Sequence, residues 1–384
     1  MQRDAAALRA ALADLEQRDL TRRRRTEVDA RLVNFCSNDY LGLKAHPEVV
    51  SAFTSAAQKY GVGSGASHLV TGHGPEHEAL EEELAAFTGR EKALVFSTGY
   101  MANLGVIGTL ADQNATILSD KLNHASLIDA CRLSGAELRR YRHGDAAHAT
   151  ELLAASESPT SLVVTDGVFS MDGDLAPLPE LAREARARRA WLVVDDAHGL
   201  GVIGQNGRGS CEHFNLSSDE VPVLVGTFGK AFGTFGAFVA GGADLIQLLI
   251  QKARTYIYTT ALPPAVAAAT RAALRISARE SWRREKALAL AQRLRRGLGS
   301  LGASADAPSR LATAGTTIIP VILGDAQRAL AASRALEARG FLVTAIRPPT
   351  VPAGTARLRI TLSAAHEEAQ VDALLAALAP VLDA

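Results

Sequence analysis

The chain has few cysteines and no net charge. Its three cysteines, Cys36, Cys131 and Cys211, lie far apart and form no CxxC pair. A disulfide framework or a structural zinc site is therefore not expected, and a reducing cytoplasmic setting fits this usage. The 41 basic residues are balanced by 41 acidic ones, so no overall field would attract nucleic acid or an anionic membrane.

Long apolar runs are also missing. No stretch reaches the ~20 residues that a membrane-spanning helix needs, and acidic residues interrupt the arginine-rich N-terminal segment, which argues against a secretory or transit peptide. The basic run at residues 22–25 has no interleaved aromatic residues and does not predict a nucleic-acid site. The composition, 47% hydrophobic and 21% charged over 384 residues, is typical of a soluble globular protein with more than one domain.

Strand and helix patterns alternate through the first two thirds of the chain. Helical patterns lie between most of the apolar runs, as at residues 75–87, where Pro75 lies in the first turn and Gly89 follows the end. This alternation predicts a largely parallel sheet covered by helices. Ligand sites on such sheets form beyond the carboxyl ends of the strands. The predicted strands are residues 93–96, 116–119, 162–165, 192–195, 223–227 and 237–240.

The pattern changes after Pro263 and Pro264. Two long helical segments are followed by a strand-helix-strand-strand-helix order that predicts a smaller α+β domain. Leucines at helical spacing predict an amphipathic helix at residues 4–19, in an N-terminal arm. The predicted domains are the arm at 1–45, a large domain at 46–275 and a small domain at 276–384. The later elements are helices 264–280, 281–299 and 326–339, strands 317–323, 341–346 and 357–362, and a last helix from about 366.

An amine, a carboxylate and an imidazole follow successive apolar runs. Lys230 closes the stretch TFGK, Asp195 ends the run WLVVD, and His198 comes three residues later. This set suits pyridoxal 5'-phosphate (PLP), whose aldehyde forms a Schiff base with a lysine and whose ring nitrogen is basic. Asp195 would keep that nitrogen protonated, and His198 could bond the phenolic oxygen. The alternatives are a helix-capping aspartate and a structural loop histidine.

Two further elements could hold the rest of such a cofactor. The hydroxyl of Thr227 and the strand-to-helix turn at Gly99 and Tyr100, with free backbone N–H groups, could bind a phosphate. His124, before a predicted helix, could stack on the flat ring. Each has a simpler explanation, as an ordinary glycine turn or a structural histidine.

A second glycine pattern suggests a different cofactor. Gly199, Gly201 and Gly204 match the G-x-G-x-x-G dinucleotide fingerprint. However, no helix pattern follows, and residues 195–198 separate the strand from the first glycine. A nicotinamide oxidoreductase is therefore disfavoured.

Six stretches of the chain together resemble the α-oxoamine synthases, a family of fold-type I PLP-dependent transferases, over nearly the whole length. The resemblance implies an α/β fold with a mostly parallel seven-stranded sheet in the large domain and a smaller C-terminal α+β domain. It also implies a homodimer with both active sites at the interface. The matching stretches are NDYLGL (38–43), GVGSG (61–65), HAS (124–126), DGVFSMDGD (166–174), VDDAHG (194–199) and TFGKAFG (227–233).

The resemblance also implies roles for individual residues. Lys230 is expected to carry the Schiff base, His124 to stack on the ring and Asp195 to contact its nitrogen. The other cofactor contacts are expected from Gly99, Tyr100, Ser170, His198 and Thr227, and from Thr259 and Thr260 reaching the phosphate of the other subunit. Expected substrate contacts are Asn38, His124, Thr350 and an arginine of the run 22–25, with Arg22 preferred and Arg347 predicted to bind the amino-acid carboxylate.

The stretch at residues 345–359 is most like family members that condense L-alanine with a pimeloyl thioester in biotin biosynthesis. The pimeloyl group would be carried on coenzyme A or on an acyl carrier protein, and the sequence does not distinguish the two carriers. Sibling activities, such as glycine C-acetyltransferase or the 5-aminolevulinate and sphingoid-base synthases, remain the nearest alternatives. A non-catalytic partner subunit is disfavoured because Lys230 is present.

Overall fold

The computed structural model describes residues 4–18, 20–22, 24–25, 29–302 and 315–382. The helices are α1 Ala5–Gln17, α2 Pro47–Tyr60, α3 Pro75–Thr88, α4 Gly99–Leu110, α5 Ala125–Leu133, α6 Ala146–Ala154, α7 Leu178–Ala187, α8 Ser210–His213, α9 Ala243–Lys252, α10 Arg254–Ile257, α11 Pro264–Arg279, α12 Ser281–Ser300, α13 Ala326–Glu337 and α14 Glu368–Leu382, with a π-helical turn at His68–Gly72. The strands are β1 Val33–Asn34, β2 Lys92–Phe96, β3 Ala115–Asp120, β4 Glu137–Tyr141, β5 Thr160–Asp166, β6 Trp191–Asp195, β7 Val223–Thr227, β8 Ala237–Gly241, β9 Ile318–Gly324, β10 Phe341–Leu342, β11 Thr344–Ile346 and β12 Ala356–Thr361.

Seven strands form the central sheet in the order β2-β8-β7-β6-β5-β3-β4. Only β8 runs antiparallel to its neighbours within this sheet, so the predicted α/β fold with a mostly parallel seven-stranded sheet is confirmed. The central strands are mainly apolar and largely buried on both faces, as expected for a sheet with helices on each side. The alternation of strand and helix patterns was therefore a reliable guide to this part of the fold.

The edge strand β4 was not among the individually predicted strands. Its sequence, ELRRY, is polar because the strand pairs only with β3 and exposes part of its surface. An apolar run is therefore not required there, and the pattern that identified the other six strands is absent.

The parallel register places the ends of β5 and β6 side by side. Asp166, the last residue of β5, pairs with Asp195, the last residue of β6. Thr227 ends β7, the next strand in the sheet. Since parallel strands end at one edge, the polar residues that follow them collect on one side of the sheet.

A three-stranded antiparallel sheet, β11-β12-β9, lies in the C-terminal part of the chain. It packs against α12, α13 and α14 through a separate apolar core that includes Leu294, Leu358 and Leu374. The single strand predicted at 341–346 is two strands: β10 pairs in parallel with β1 of the N-terminal arm, and β11 pairs with β12. The division at residues 45 and 275 stays a prediction. Within the described residues, no helix combines the length and apolarity that crossing a bilayer requires.

Candidate active site

The cavity at the carboxyl ends of the central strands has a volume of about 200 Å³. It brings together polar side chains from five loops that are distant in the sequence. The residues that line it are Gly99, Tyr100, His124, Ser126, Asp166, Ser170, Asp195, Ala197, His198, Gly226, Thr227 and Lys230. All the cofactor contacts predicted for one subunit are in this set.

Lys230 lies in the loop that joins β7 to β8. Its Nζ lies 2.8 Å from Nε2 of His198. Burial lowers the pKa of Lys230 to about 8, the charges of Asp195 and Asp166 oppose this, and the nearby Arg359 adds to the lowering. A substantial fraction of the amine is therefore neutral near physiological pH, as a nucleophile or base must be.

His198 is the centre of a hydrogen-bonded chain. Burial, together with the positive charge of Lys230, lowers the pKa of His198 well below its ordinary value, so the ring is neutral. Its Nε2 faces Lys230, and its Nδ1 lies 2.7 Å from the hydroxyl of Tyr40. Tyr40 donates in turn to Oδ1 of Asn38 at 3.1 Å. With Nδ1 protonated, His198 presents an unprotonated Nε2 to the amine.

Asp195 is 6% exposed and fully hydrogen-bonded to the protein. Its Oδ2 accepts from the amide of Asn103 at 2.7 Å, and its Oδ1 accepts from the backbone N–H of Ala197 at 3.0 Å. No helix starts here, since the next one begins at Ser210. The helix-capping alternative for Asp195 is therefore excluded, and its carboxylate is held at the cavity wall.

His124 both caps a helix and lines the cavity. Its backbone N–H donates to Asp166 Oδ2 at 2.7 Å, and its Nδ1 accepts from the N–H of Ser126 in the first turn of α5. The hydroxyl of Ser126 accepts from Asn103, whose amide also holds Asp195. The structural role considered for His124 is therefore present, and it fixes the ring on the surface of the cavity.

The opposite end of the cavity suits an anion. Gly99 and Tyr100 begin the 12-residue helix α4, capped by Thr98, whose side chain accepts from Met101. The first N–H groups of a helix have no intrahelical acceptor and lie at its positive end. Thr227 directs its hydroxyl to the carbonyl of Gly236 at 2.9 Å. The ring of Tyr100 points away to Asp129, so the contact from this residue would come from its backbone.

A second, larger cavity of about 530 Å³ adjoins the first, with His124 and Ser170 lining both. Its walls are mainly apolar, and Thr350 contributes to them as the sequence predicted. Two cations also line it, Lys121 and Arg140. An elongated acyl chain would fit a cavity of this size and polarity.

The described arginines that were predicted to contact the substrate line neither cavity. Arg22 is exposed and lines neither cavity, and Arg23 lies outside the described residues. Arg25 forms a two-point ion pair with Glu337, with N–O distances of 2.8 and 2.6 Å. Arg347 donates to the carbonyl of Thr21 at 3.4 Å and also lines neither cavity.

Thr259 and Thr260 do not line this chain's cavity either. The prediction for them concerns a second subunit and stays a prediction.

Sequence reasoning assigned no role to two residues beside the amine. Arg359, on β12, is buried and donates to Asn38 Oδ1 at 3.2 Å and to the carbonyl of Ser170 at 2.5 Å. Asp166 holds His124 and is buried beside Asp195; burial, with the repulsion of Asp195, raises its pKa well above the ordinary range. Asp166 could have been found as a second acidic strand end. Arg359 gave no such signal, because its burial depends on contacts with residues far away in the sequence.

The first cavity fits PLP. It offers a poised amine for the aldehyde, a buried carboxylate for the ring nitrogen, an imidazole for the ring face and a helix N-terminus for the phosphate. The glycine pattern at residues 199–204, already disfavoured as a dinucleotide site from the sequence, has no comparable geometry. Gly199 and Gly209 instead pack against the carboxylate of Asp196, leaving no room for a Cβ, and no helix begins at Gly204.

Comparison with known proteins agrees with this geometry. Residues 30–378 match the model of the aminotransferase class I and II family. The chain is 61% identical to an 8-amino-7-oxononanoate synthase from Methylococcus capsulatus, over 96% of both chains. Among solved structures, a serine palmitoyltransferase from S. paucimobilis with a bound PLP-myriocin aldimine has a TM-score of 0.91 and 32% identity, with full coverage of both chains.

A solved 8-amino-7-oxononanoate synthase from Francisella tularensis has a TM-score of 0.79 and 30% identity, covering 93% of this chain and 99% of that one. The identity to proteins of this name is far higher in the curated sequences, where it reaches 56–61% over most of the chain. The chain therefore belongs to the aminotransferase class I and II family and, within it, to the family of the 8-amino-7-oxononanoate synthases.

Proposed function

We propose that this protein is a PLP-dependent acyltransferase that condenses L-alanine with a pimeloyl thioester. The products would be 8-amino-7-oxononanoate, carbon dioxide and the free thiol, and the reaction would serve biotin biosynthesis. The observation that carries the proposal is the pairing of the two cavities. One holds the lysine, aspartate and histidine of a PLP site, and the other offers an apolar chamber joined to it at His124 and Ser170.

PLP, when bound, would supply an imine to the amino acid and an electron-withdrawing ring for the pair of electrons released at Cα. Lys230 would hold the aldehyde, and Asp195 would keep the proton on the ring nitrogen. His124 would cover one face of the ring, and the N-terminus of α4, with Thr227, would bind the phosphate. Each of these groups lines the same cavity.

The chain's own groups can then move the proton on which the reaction depends. Lys230 Nζ, with a pKa of about 8, is neutral in part of the molecules at pH 7.5 and can accept the proton of Cα. The unprotonated Nε2 of His198 lies 2.8 Å away and can orient the amine. Because Tyr40 fixes Nδ1 of the same ring, the orientation does not depend on solvent.

Two arginines are candidates for the carboxylate of alanine. Arg347 was the sequence prediction, but it lines neither cavity. Arg359 is buried, lies close enough to affect the pKa of Lys230, and is already oriented by Asn38. The geometry therefore favours Arg359 for this role, with Asn38 as its positioning partner. Thr350 lines the larger cavity and stays a proposed substrate contact, whereas Arg22 lines neither cavity and its proposed substrate contact rests on the resemblance alone.

The proposal includes a homodimer in which Thr259 and Thr260 of one subunit reach the phosphate in the other. The surface near these two threonines exposes large apolar side chains: Val62 is 87%, Val70 73% and Tyr258 72% exposed. The two segments that carry these residues are joined by the hydrogen bond from the N–H of Ala261 to the carbonyl of Ala66. A second copy of the chain would cover this surface.

The proposal is tested by product analysis. Purified protein is supplied with PLP, one amino acid (alanine, glycine or serine) and pimeloyl-coenzyme A or pimeloyl carrier protein, and the product is identified by mass. Of the three amino acids, we expect only alanine to be converted, and its product to be 8-amino-7-oxononanoate. A glycine- or serine-derived product formed faster than the alanine product would instead assign a sibling activity, and formation with only one thioester would identify the donor.

A further inference from the structure

A largely buried histidine outside both cavities bridges two carboxylates. His143 follows β4, and its side chain is 14% exposed. Its Nδ1 lies 3.0 Å from Asp120 Oδ1, and its Nε2 lies 2.9 Å from Asp174 Oδ2. The side chains of these two aspartates are 1% and 0% exposed. Because a carboxylate only accepts, both ring nitrogens must donate, and the ring must be an imidazolium.

The charge state agrees with this geometry. Burial alone would lower the pKa of His143, but the hydrogen bonds to Asp120 and Asp174 and their negative charges outweigh it and raise the pKa to about 10. The ring also packs edge-on against Phe169, with centroids 4.4 Å apart. Asp120 and Asp174 supply the negative charges that face the ring. Burial raises the pKa of the nearby Asp172, and the positive charges of Arg357 and His143 oppose that rise.

The carboxylate of Asp120 is hydrogen-bonded within the turn that leads to His124. Its Oδ1 accepts from the N–H of Leu122 and its Oδ2 from the N–H of Gly144, both at 2.8 Å. These bonds fix the segment between the end of β3 and the start of α5. Residues 121–125 of that segment line the larger cavity.

Asp174 is hydrogen-bonded through its backbone within the loop that carries Ser170. Its carbonyl accepts from the N–H of Phe169 at 2.9 Å, and the carbonyl of Phe169 accepts from Gly173 at 2.8 Å, so the loop is closed on itself. Residues 169–172 of this loop form another part of the wall of the larger cavity. His143 therefore joins two wall segments of the larger cavity by one hydrogen bond to a carboxylate on each.

We propose that His143 is a positioning residue whose imidazolium ties the turn carrying His124 to the loop carrying Ser170, and thereby sets the shape of the acyl-donor cavity. This inference rests on the proposed function, because it assigns that cavity to the thioester. It predicts a selective defect. Loss of the tie alters acyl-donor binding, whereas Lys230, Asp195 and the helix that faces the phosphate keep their own contacts. His124 keeps its bonds to Asp166 and Ser126, so its ring stays in the first cavity.

The test compares His143→Gln with His213→Gln, a matched change at an exposed histidine of α8. Glutamine is neutral and cannot donate to both carboxylates in the same geometry. The probe is pimeloyl-coenzyme A, titrated calorimetrically into PLP-loaded protein without alanine, so that no turnover occurs. We expect His143→Gln to weaken its binding about tenfold, because hydrogen bonds to charged groups that hold the cavity wall are lost. The KM for alanine and the intensity of the PLP absorbance band should each change less than about twofold.

Asp174→Asn is the second variant, in case His143→Gln does not fold. It removes one of the two carboxylates while leaving the bond to Asp120, and it should weaken binding of the probe in the same selective way. Unchanged probe affinity in the variants that fold would overturn the proposal, as would equal losses for PLP, alanine and the probe. Failure of the wild-type protein itself to bind the probe would defeat the proposed function instead. Histidine ¹⁵N NMR gives a readout that is independent of function: the His143 ring should carry protons on both nitrogens at pH 8, and a singly protonated ring there would refute the tie.

Discussion

Capture of PLP by the apo-protein should depend on pH through Lys230, because only the neutral amine attacks an aldehyde. With its pKa at about 8, about a quarter of Lys230 is neutral at pH 7.5, against about one in a thousand for a lysine at 10.5. The structure therefore predicts an advantage of about 240-fold at this pH from the change in pKa alone. The rate should rise about tenfold per pH unit below pH 8 and level off above it.

The assay is stopped-flow absorbance of apo-protein mixed with PLP between pH 6 and 10. N-acetyl-lysine, measured in parallel, corrects for the pH dependence of the aldehyde itself. Arg359→Gln should move the inflection to higher pH, because it removes a cation that lowers the pKa of Lys230. Arg347→Gln is the matched control, since Arg347 lines neither cavity. A rate that still climbs tenfold per unit up to pH 10 would show that Lys230 has an ordinary pKa and refute the reasoning.

Three further predictions concern neighbouring residues. Asp195→Asn should still bind PLP but slow the exchange of the alanine α-proton with deuterated solvent at least about 100-fold, measured by NMR. Arg359→Lys should raise the KM for alanine about tenfold or more, because bonds to a charged group are lost, whereas Arg347→Lys should not. Asp172→Asn leaves the buried guanidinium of Arg357 without its carboxylate and should lower the free energy of unfolding by about 3–5 kcal/mol, measured by denaturant titration.

Each of these has a clear contrary outcome. Normal proton exchange in Asp195→Asn would remove the ring-nitrogen argument, and a larger effect at Arg347 than at Arg359 would restore the original sequence prediction. For the stability change, the control is Asp29→Asn, which breaks an exposed ion pair with Arg31 and should leave the free energy of unfolding nearly unchanged, because solvent screens such a pair. Equal costs at Asp172 and Asp29 would contradict the account of the buried pair.

The sequence was informative where local pattern and final environment agree. The apolar runs of the central sheet are buried on both faces, so the runs of apolar residues in the sequence were enough to locate them. The residues just beyond those runs, such as Asp195 and Lys230, then fall into one cavity because parallel strands end at one edge. Most of the fold and the centre of the candidate site could therefore be predicted.

What could not be predicted depends on contacts between distant segments. Arg359 is buried against Asn38, 321 residues earlier, and a charged residue on a strand gives no sign of such a partner. The division between β10 and β11 arises because β10 pairs with the N-terminal arm, which a continuous apolar run does not reveal. The tie at His143 likewise needs Asp120 and Asp174 to be brought together by the fold.

The most direct test of the central claim is to locate the cofactor on the chain. PLP-loaded protein is reduced with borohydride and digested, and the peptides are analysed by mass spectrometry. We expect a single pyridoxyl adduct, on the peptide that contains Lys230, and none on that peptide in Lys230→Ala. A stable adduct on a different lysine, or none at all after loading, would contradict the account.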